Sequence, residues 1–117
     1  MSEYRIECER ILGPSEGPYW SAIFGVYEDD RRIQETKVKL TFLALGDLCA
    51  FLRDKGKGVE PDDPGVADAV LRTDGETRIR EQLKVPGRPC PPEIFIDAVD
   101  FREPGRKEDV LRKAGLL

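Results

Sequence analysis

Polar and apolar residues alternate from early in the chain: Tyr4, Ile6 and Cys8 are separated by Arg5, Glu7 and Glu9, and Ile11 and Leu12 close the run. Period-two alternation is the pattern of a strand with one face in a core and one in water. Gly13-Pro14-Ser15-Glu16-Gly17-Pro18 breaks the backbone twice, so the chain must turn there. From Tyr19 to Tyr27 apolar side chains fall on both parities, with Trp20, Ala22, Phe24 and Val26 on one face and Tyr19, Ile23 and Tyr27 on the other. A strand apolar on both faces is predicted to be central. Arg32 to Phe42 alternates again, setting Val38, Leu40 and Phe42 against Glu35, Lys37, Lys39 and Thr41.

The turn between these two strands, Glu28-Asp29-Asp30-Arg31, decides which side chains share a face, because a one-residue slip inverts the whole set. A two-residue loop at Asp29-Asp30 would put Trp20 opposite Lys39 and Ala22 opposite Lys37. An odd loop of three or five residues would instead pair Trp20 with Leu40 and Ala22 with Val38. The odd loop is expected, since only it makes one face uniformly apolar and Asp-Asp lacks the glycine that a two-residue primed turn favours.

Leu45, Leu48, Cys49 and Leu52 then recur at helical spacing, predicting a helix over Ala44 to Lys55 that ends near Gly56 and covers the Trp20/Phe24/Leu40 face. A polar, proline-punctuated loop over Gly58 to Gly65 follows. Asp63 is placed to cap a second helix with Pro64 at its first position, carrying Val66, Ala69 and Val70 inward. Thr73-Asp74-Gly75-Glu76 suits either a capping box or a hairpin, and helix, break, helix is the favoured reading. Pro86 to Pro92 reads as an extended linker. Glu93 to Phe101 divides almost evenly between helix and strand, with strand preferred because β-branched and aromatic residues dominate. Glu108/Arg112 and Asp109/Lys113 mark a last short helix. The expectation is a single domain over residues 1–117 of the α+β class: an antiparallel sheet of three to four strands, opening β-β-β-α, with helices packed on it.

Composition removes chemistry from this picture. The chain has 117 residues, 19 basic and 23 acidic side chains, a formal net charge of -4 and no histidine. Without histidine, neither a Ser-His-Asp nor a Cys-His mechanism can be assembled within one chain, and the commonest nitrogen ligand for transition metals is missing. A negative net charge disfavours nonspecific binding of polyanions but permits a local basic patch. Scarcity of amides and methionine beside many charges is the hyperthermophile trend, which gives a thermophilic source as an expectation. Cys8, Cys49 and Cys90 form no CxxC pair, and their odd number suits reduced thiols. Met1 to Arg5 lacks an apolar signal core and no run approaches a membrane span, so a cytoplasmic protein without membrane partners is expected.

The candidate site is the second face of the hairpin, with Tyr19, Ile23 and Tyr27 beside Lys37 and Lys39. Three readings compete for it. The favoured one is a non-catalytic interaction module that binds a protein partner or a second copy of itself through this face or an edge strand, with no cofactor or metal. The alternative is a nucleic-acid platform, with rings to stack bases and lysines to meet phosphates. Three antiparallel strands followed by a helix also form the arm-binding domains of phage integrases, a similarity of layout rather than of motif. The third reading is an enzyme or small-ligand binder with a pocket between the sheet and Glu93 to Phe101. Against all three stands simple packing, with Ile94, Phe95, Val99 or Leu111 covering the face as a second core layer. Carboxylate groups at Glu60/Asp62/Asp63 and at Glu93/Asp97/Asp100 are candidates for a hard cation, and Cys90, near Arg88, is the cysteine expected to be exposed.

Overall fold

The computed structural model describes residues 4–14, 17–84 and 90–117. The prolines and glycine of 85–89, Arg88 included, lie outside the described residues, as do Ser15 and Glu16 of the first break. The elements run β1 (Tyr4–Leu12), β2 (Tyr19–Glu28), β3 (Arg31–Thr41), α1 (Phe42–Asp54), α2 (Pro64–Leu83), β4 (Glu93–Ile96), a 3-10 turn (Ala98–Phe101) and α3 (Arg106–Lys113). The sheet order is β1-β2-β3-β4. The α+β class and the β-β-β-α opening match the sequence pattern, and β2 is central as its two-sided apolar character requires.

The hairpin pairs Trp20 with Leu40 and Ala22 with Val38, the register that makes one face apolar. It reaches that register by a different route from the one expected. The turn is a two-residue one, Glu28 opposite Arg31, with Asp29 and Asp30 both left-handed at φ 50° and 66°. Positive φ at both central residues is the type I′ pattern, whose twist suits a hairpin. Parity is restored by a bulge: Tyr27 pairs with Arg32 and Val26 with Gln34, leaving Ile33 as the extra residue. A second bulge falls between Cys8 and Arg10 on β1 and sets Glu9 outside the ladder.

β4 joins β3 in parallel, with Val38 opposite Ile94 and Leu40 opposite Ile96, so the sheet is mixed rather than wholly antiparallel. Side chains of β3 fasten the incoming segment. Gln34 Nε2 donates to the Cys90 carbonyl (2.7 Å), Thr36 Oγ1 donates to the Pro91 carbonyl (3.3 Å) and the Lys37 amide donates to the Pro92 carbonyl (2.9 Å). The Glu93 to Phe101 stretch is thus a strand followed by a 3-10 turn, and Glu93, Asp97 and Asp100 do not share a helical face.

All three helices contribute to one core cluster with Ile6, Ala22, Phe24, Val26, Val38, Leu40 and Ile96. Thr41 caps α1, its Oγ1 accepting from the Ala44 amide (3.2 Å). Asp63 caps α2, accepting from the Gly65 and Val66 amides at 2.8 and 3.3 Å, with Pro64 at the first helical position.

The expected break in α2 is absent, since one helix runs unbroken through Thr73-Asp74-Gly75-Glu76. Gly75 sits there for packing reasons: a Cβ would come within 3.0 Å of the Phe24 ring, and the glycine lets the helix lie close on β2 and β3. Burial of Phe24, at about 1.5–3 kcal/mol, outweighs the roughly 1 kcal/mol that glycine costs inside a helix. Arg78 then ties α2 to the C-terminal segment. It donates to Asp74 Oδ2 (2.8 Å), approaches Asp100 Oδ2 (3.6 Å) and reaches the Phe95 carbonyl (3.5 Å).

Candidate functional site

The helices leave the second sheet face uncovered among the described residues. Packing by the C-terminal segment does not close it. Ile94 and Leu111 turn towards the core instead, and Phe95 lies on the open face as a further member, 49% exposed. The five residues singled out from the sequence all belong to this face but do not form one site. Tyr19 and Tyr27 lie eight residues apart on β2, about 26 Å at the rise of an extended strand. Ile23 sits between them, 8% exposed, and pairs across the ladder with Lys37 on one side and Arg10 on the other.

At the turn end, the side chains of the face pair with one another beside a hollow of about 410 Å³ lined by Tyr4, Arg5, Tyr27, Asp29 and Asp30. Arg32 meets the Glu9 carboxylate through two nitrogens, at 2.8 and 3.3 Å, and Glu35 at 3.1 Å. The Tyr27 hydroxyl donates to Glu9 Oε2 (2.7 Å), and the Arg5 guanidinium lies 4.6 Å from the Tyr27 ring centre while bridging Glu7 and Asp30. Two sequence features allow this network. The bulge at Glu9 swings its carboxylate across β2, and Gly25 leaves the path open, since a Cβ there would stand 2.5 Å from Glu9 Oε2. Arg32, and after it Tyr27, holds the Glu9 carboxyl below the usual carboxylate range, and Glu9 in turn pushes the Tyr27 hydroxyl up.

At the helix end the same residue types are arranged differently. The Lys39 ammonium lies between two rings, 4.8 Å from the centre of Tyr19 and 5.2 Å from that of Phe95, and donates to Glu93 Oε1 (2.9 Å). The bond to Glu93 raises the Lys39 pKa, and the residue is only 8% exposed. Lys39 is therefore a spacer between rings with its charge already answered. Beyond it lies an open hollow of about 400 Å³ lined by Pro18, Tyr19, Thr41, Phe42, Leu43, Phe95 and Asp97. Phe42 and Leu43, the first two residues of α1, point outward here, and Leu43 is 73% exposed.

Beneath the hollow, Thr41 Oγ1 donates to Asp97 Oδ1 (2.8 Å) while capping α1, and Asp97 starts the 3-10 turn by accepting from the Ala98 amide (2.8 Å). Thr41 first, then that amide, keep the Asp97 carboxyl below its ordinary range. Phe95, Phe42 and Leu43 are the members that sequence reasoning missed. The sequence pattern puts Phe95 in a covering layer and Phe42 on the core face of β3, and it leaves Leu43 between two predicted elements.

Of the remaining candidates, Asp63, Glu93, Asp97, Asp100 and Cys90 are engaged in structure. Asp63 is a helix cap that also accepts from the Glu60 amide (3.2 Å). Asp97 and Asp100 form a capping box, and Glu93 pairs with Lys39. Among the described residues, no group of three histidine, cysteine or acidic side chains is placed to hold a metal ion. Cys90 is buried against Thr36 Oγ1 (3.6 Å), not exposed, because Gln34 and Thr36 draw its backbone onto the sheet. Burial pushes the Cys8 and Cys49 thiols up, away from the reactive thiolate. No described helix is long and apolar enough to cross a membrane.

Comparison with protein-family models, with curated proteins and with solved structures finds no match to this chain.

Proposed function

We propose that the chain is a non-catalytic interaction module that docks a protein partner on the helix end of its open sheet face. The carrying observation is the cluster of Tyr19, Phe42, Leu43 and Phe95 around an open hollow, with none of the described helices laid over it. Contiguous exposed apolar surface of this kind is rare on monomers away from binding sites, and aromatic residues dominate the centres of protein interfaces.

Both sheet edges are poorly suited to strand addition, which leaves the face as the docking surface. β1 carries alternating charge and a bulge, while β4 is four residues long and has Arg78 against the Phe95 carbonyl. Phosphate binding is disfavoured because Arg5, Arg32 and Lys39 each already hold a carboxylate. Catalysis finds no support in a hollow whose one carboxylate, Asp97, serves as a cap.

Site-specific photocrosslinking in cells tests the reading. A photoreactive residue replacing Leu43 is expected to give discrete adducts whose crosslinked peptides map to one protein, while the same residue replacing Asp30 at the turn end gives none. Absence of adducts at Leu43, or equal labelling at both positions, would overturn it.

A further inference from the structure

Resting on that reading, we infer that the partner is a second copy of this chain, paired about a two-fold axis through the helix end of the sheet. A two-fold interface must be self-complementary, because each residue that projects from one copy has to meet a recess on the other. This patch carries both parts side by side. Leu43 is the most exposed large apolar side chain of those described, and it stands at the rim of the 400 Å³ hollow between Tyr19, Phe42 and Phe95. A two-fold operation can seat Leu43 of each copy in the hollow of the other.

Charge allows the approach. A chain of net charge -4 resists meeting itself over most of its surface. At the helix end, however, Lys37 lies opposite Glu93 and Lys39 bonds to it, so the acidic charge there is partly answered within each copy. Size sets the strength. Four large apolar side chains, each partly exposed, present about 300–400 Å² per copy. Two such patches would bury about 600–800 Å², short of the roughly 1,000 Å² of a specific pair until polar rims add to it, so the dimer should be weak and concentration-dependent.

Local helix chemistry gives a second reason to assign Leu43 a role outside the fold. Positions in the first turn of a helix favour acidic side chains, which complement the partial positive charge of the free amides. The first turn of α1 has none, and Leu43 occupies it while facing outward. An apolar residue that neither packs in the core nor suits the helix terminus is what a contact with another molecule would retain.

The test is sedimentation of the purified full chain from about 5 to about 500 µM, a range that brackets micromolar dissociation constants. The weight-average mass should rise from the monomer towards twice that value. Leu43→Glu should weaken association at least tenfold while leaving the circular dichroism spectrum and melting temperature equal to or above the parent's, because a glutamate suits that helix position. Phe95→Ser should weaken it as well, which keeps the site testable should the first variant fail to fold. Asp30→Lys at the turn end should leave association unchanged. A monomer across the whole range, or a dimer indifferent to both patch variants, would overturn the inference. Adducts from position 43 to a different protein, alongside a monomeric purified chain, would end the self-pairing while leaving the docking surface in place.

Discussion

The two ends of the open sheet face use the same materials, a tyrosine of β2, basic side chains of the neighbouring strands and carboxylates, and finish in opposite states. At the turn end, the Tyr27 hydroxyl is spent on Glu9 and its ring is covered by Arg5. At the helix end, Lys39 is spent on Glu93 and pushed between Tyr19 and Phe95, leaving the outer surfaces of Phe42, Leu43 and Phe95 without cover. The difference lies in the second ring of partners. Arg32 has two carboxylates in reach, and Gly25 makes room for one of them to cross the strand. Exposed aromatics on a sheet are therefore not equivalent candidates. What separates them is whether the chain itself supplies the groups that complete them.

The largest effect short of the patch variants should come from Thr41, which supports the helix end from below. Its hydroxyl accepts from the Ala44 amide to cap α1 and donates to Asp97, so one side chain joins two elements. Thr41→Ala removes the cap and leaves Asp97 one partner short, and a loss of about 2 kcal/mol is expected from chemical denaturation. Thr41→Ser, which keeps the hydroxyl, should restore most of it. If both variants lose equally, the joint is packing rather than hydrogen bonding, and the helix end is not organised as described.

At the turn end the corresponding change is Tyr27→Phe, expected to lower stability at neutral pH by less than Thr41→Ala does, because the bond it removes is exposed. Its pH dependence separates the network from general packing. Glu9 has a folded pKa lowered by Arg32 and Tyr27, so its contribution is present above the unfolded carboxylate value near 4.3 and is lost as the pH falls through the lower folded value. The gap between parent and variant should therefore hold from pH 7 to about pH 5 and shrink below about pH 4. A gap that persists in acid would mean that Tyr27 acts through its ring alone.

Much of this arrangement was legible in the sequence, and the failures share a cause. Period-two and period-3.6 patterns located β1, β2, β3 and α1, since burial of one face dictates them. The faces of the hairpin followed from requiring Trp20 and Ala22 to meet Leu40 and Val38. Where the extra residue would sit did not follow, because a bulge at Ile33 changes parity as well as an odd loop does. Gly75 has the local pattern of a break because its reason, the Phe24 ring, is supplied by a strand some fifty residues away. The places of Cys90 and Phe95 are not local either, since the parallel addition of β4 depends on Gln34 and Thr36 reaching backbone carbonyls of a distant segment. Local pattern shows which residues must be buried, but not which non-local partner takes up the remaining polar groups.

The smallest predicted effect concerns the turn itself. Asp29 and Asp30 both occupy left-handed backbone, a conformation that aspartate tolerates but that asparagine followed by glycine adopts at lower cost. Replacing Asp30 also gives up its pair with Arg5, an exposed contact at 3.2 Å, which offsets part of the gain. The double variant Asp29→Asn/Asp30→Gly is thus expected to raise stability by a net of about 0.5 kcal/mol, read as a shift in the denaturation midpoint at unchanged slope. Association should not change, because the charged and hydroxyl groups at this end are already paired within the chain. A variant that stabilised the hairpin and also weakened the dimer would show that the two ends act on one surface, and the division of the face would fail.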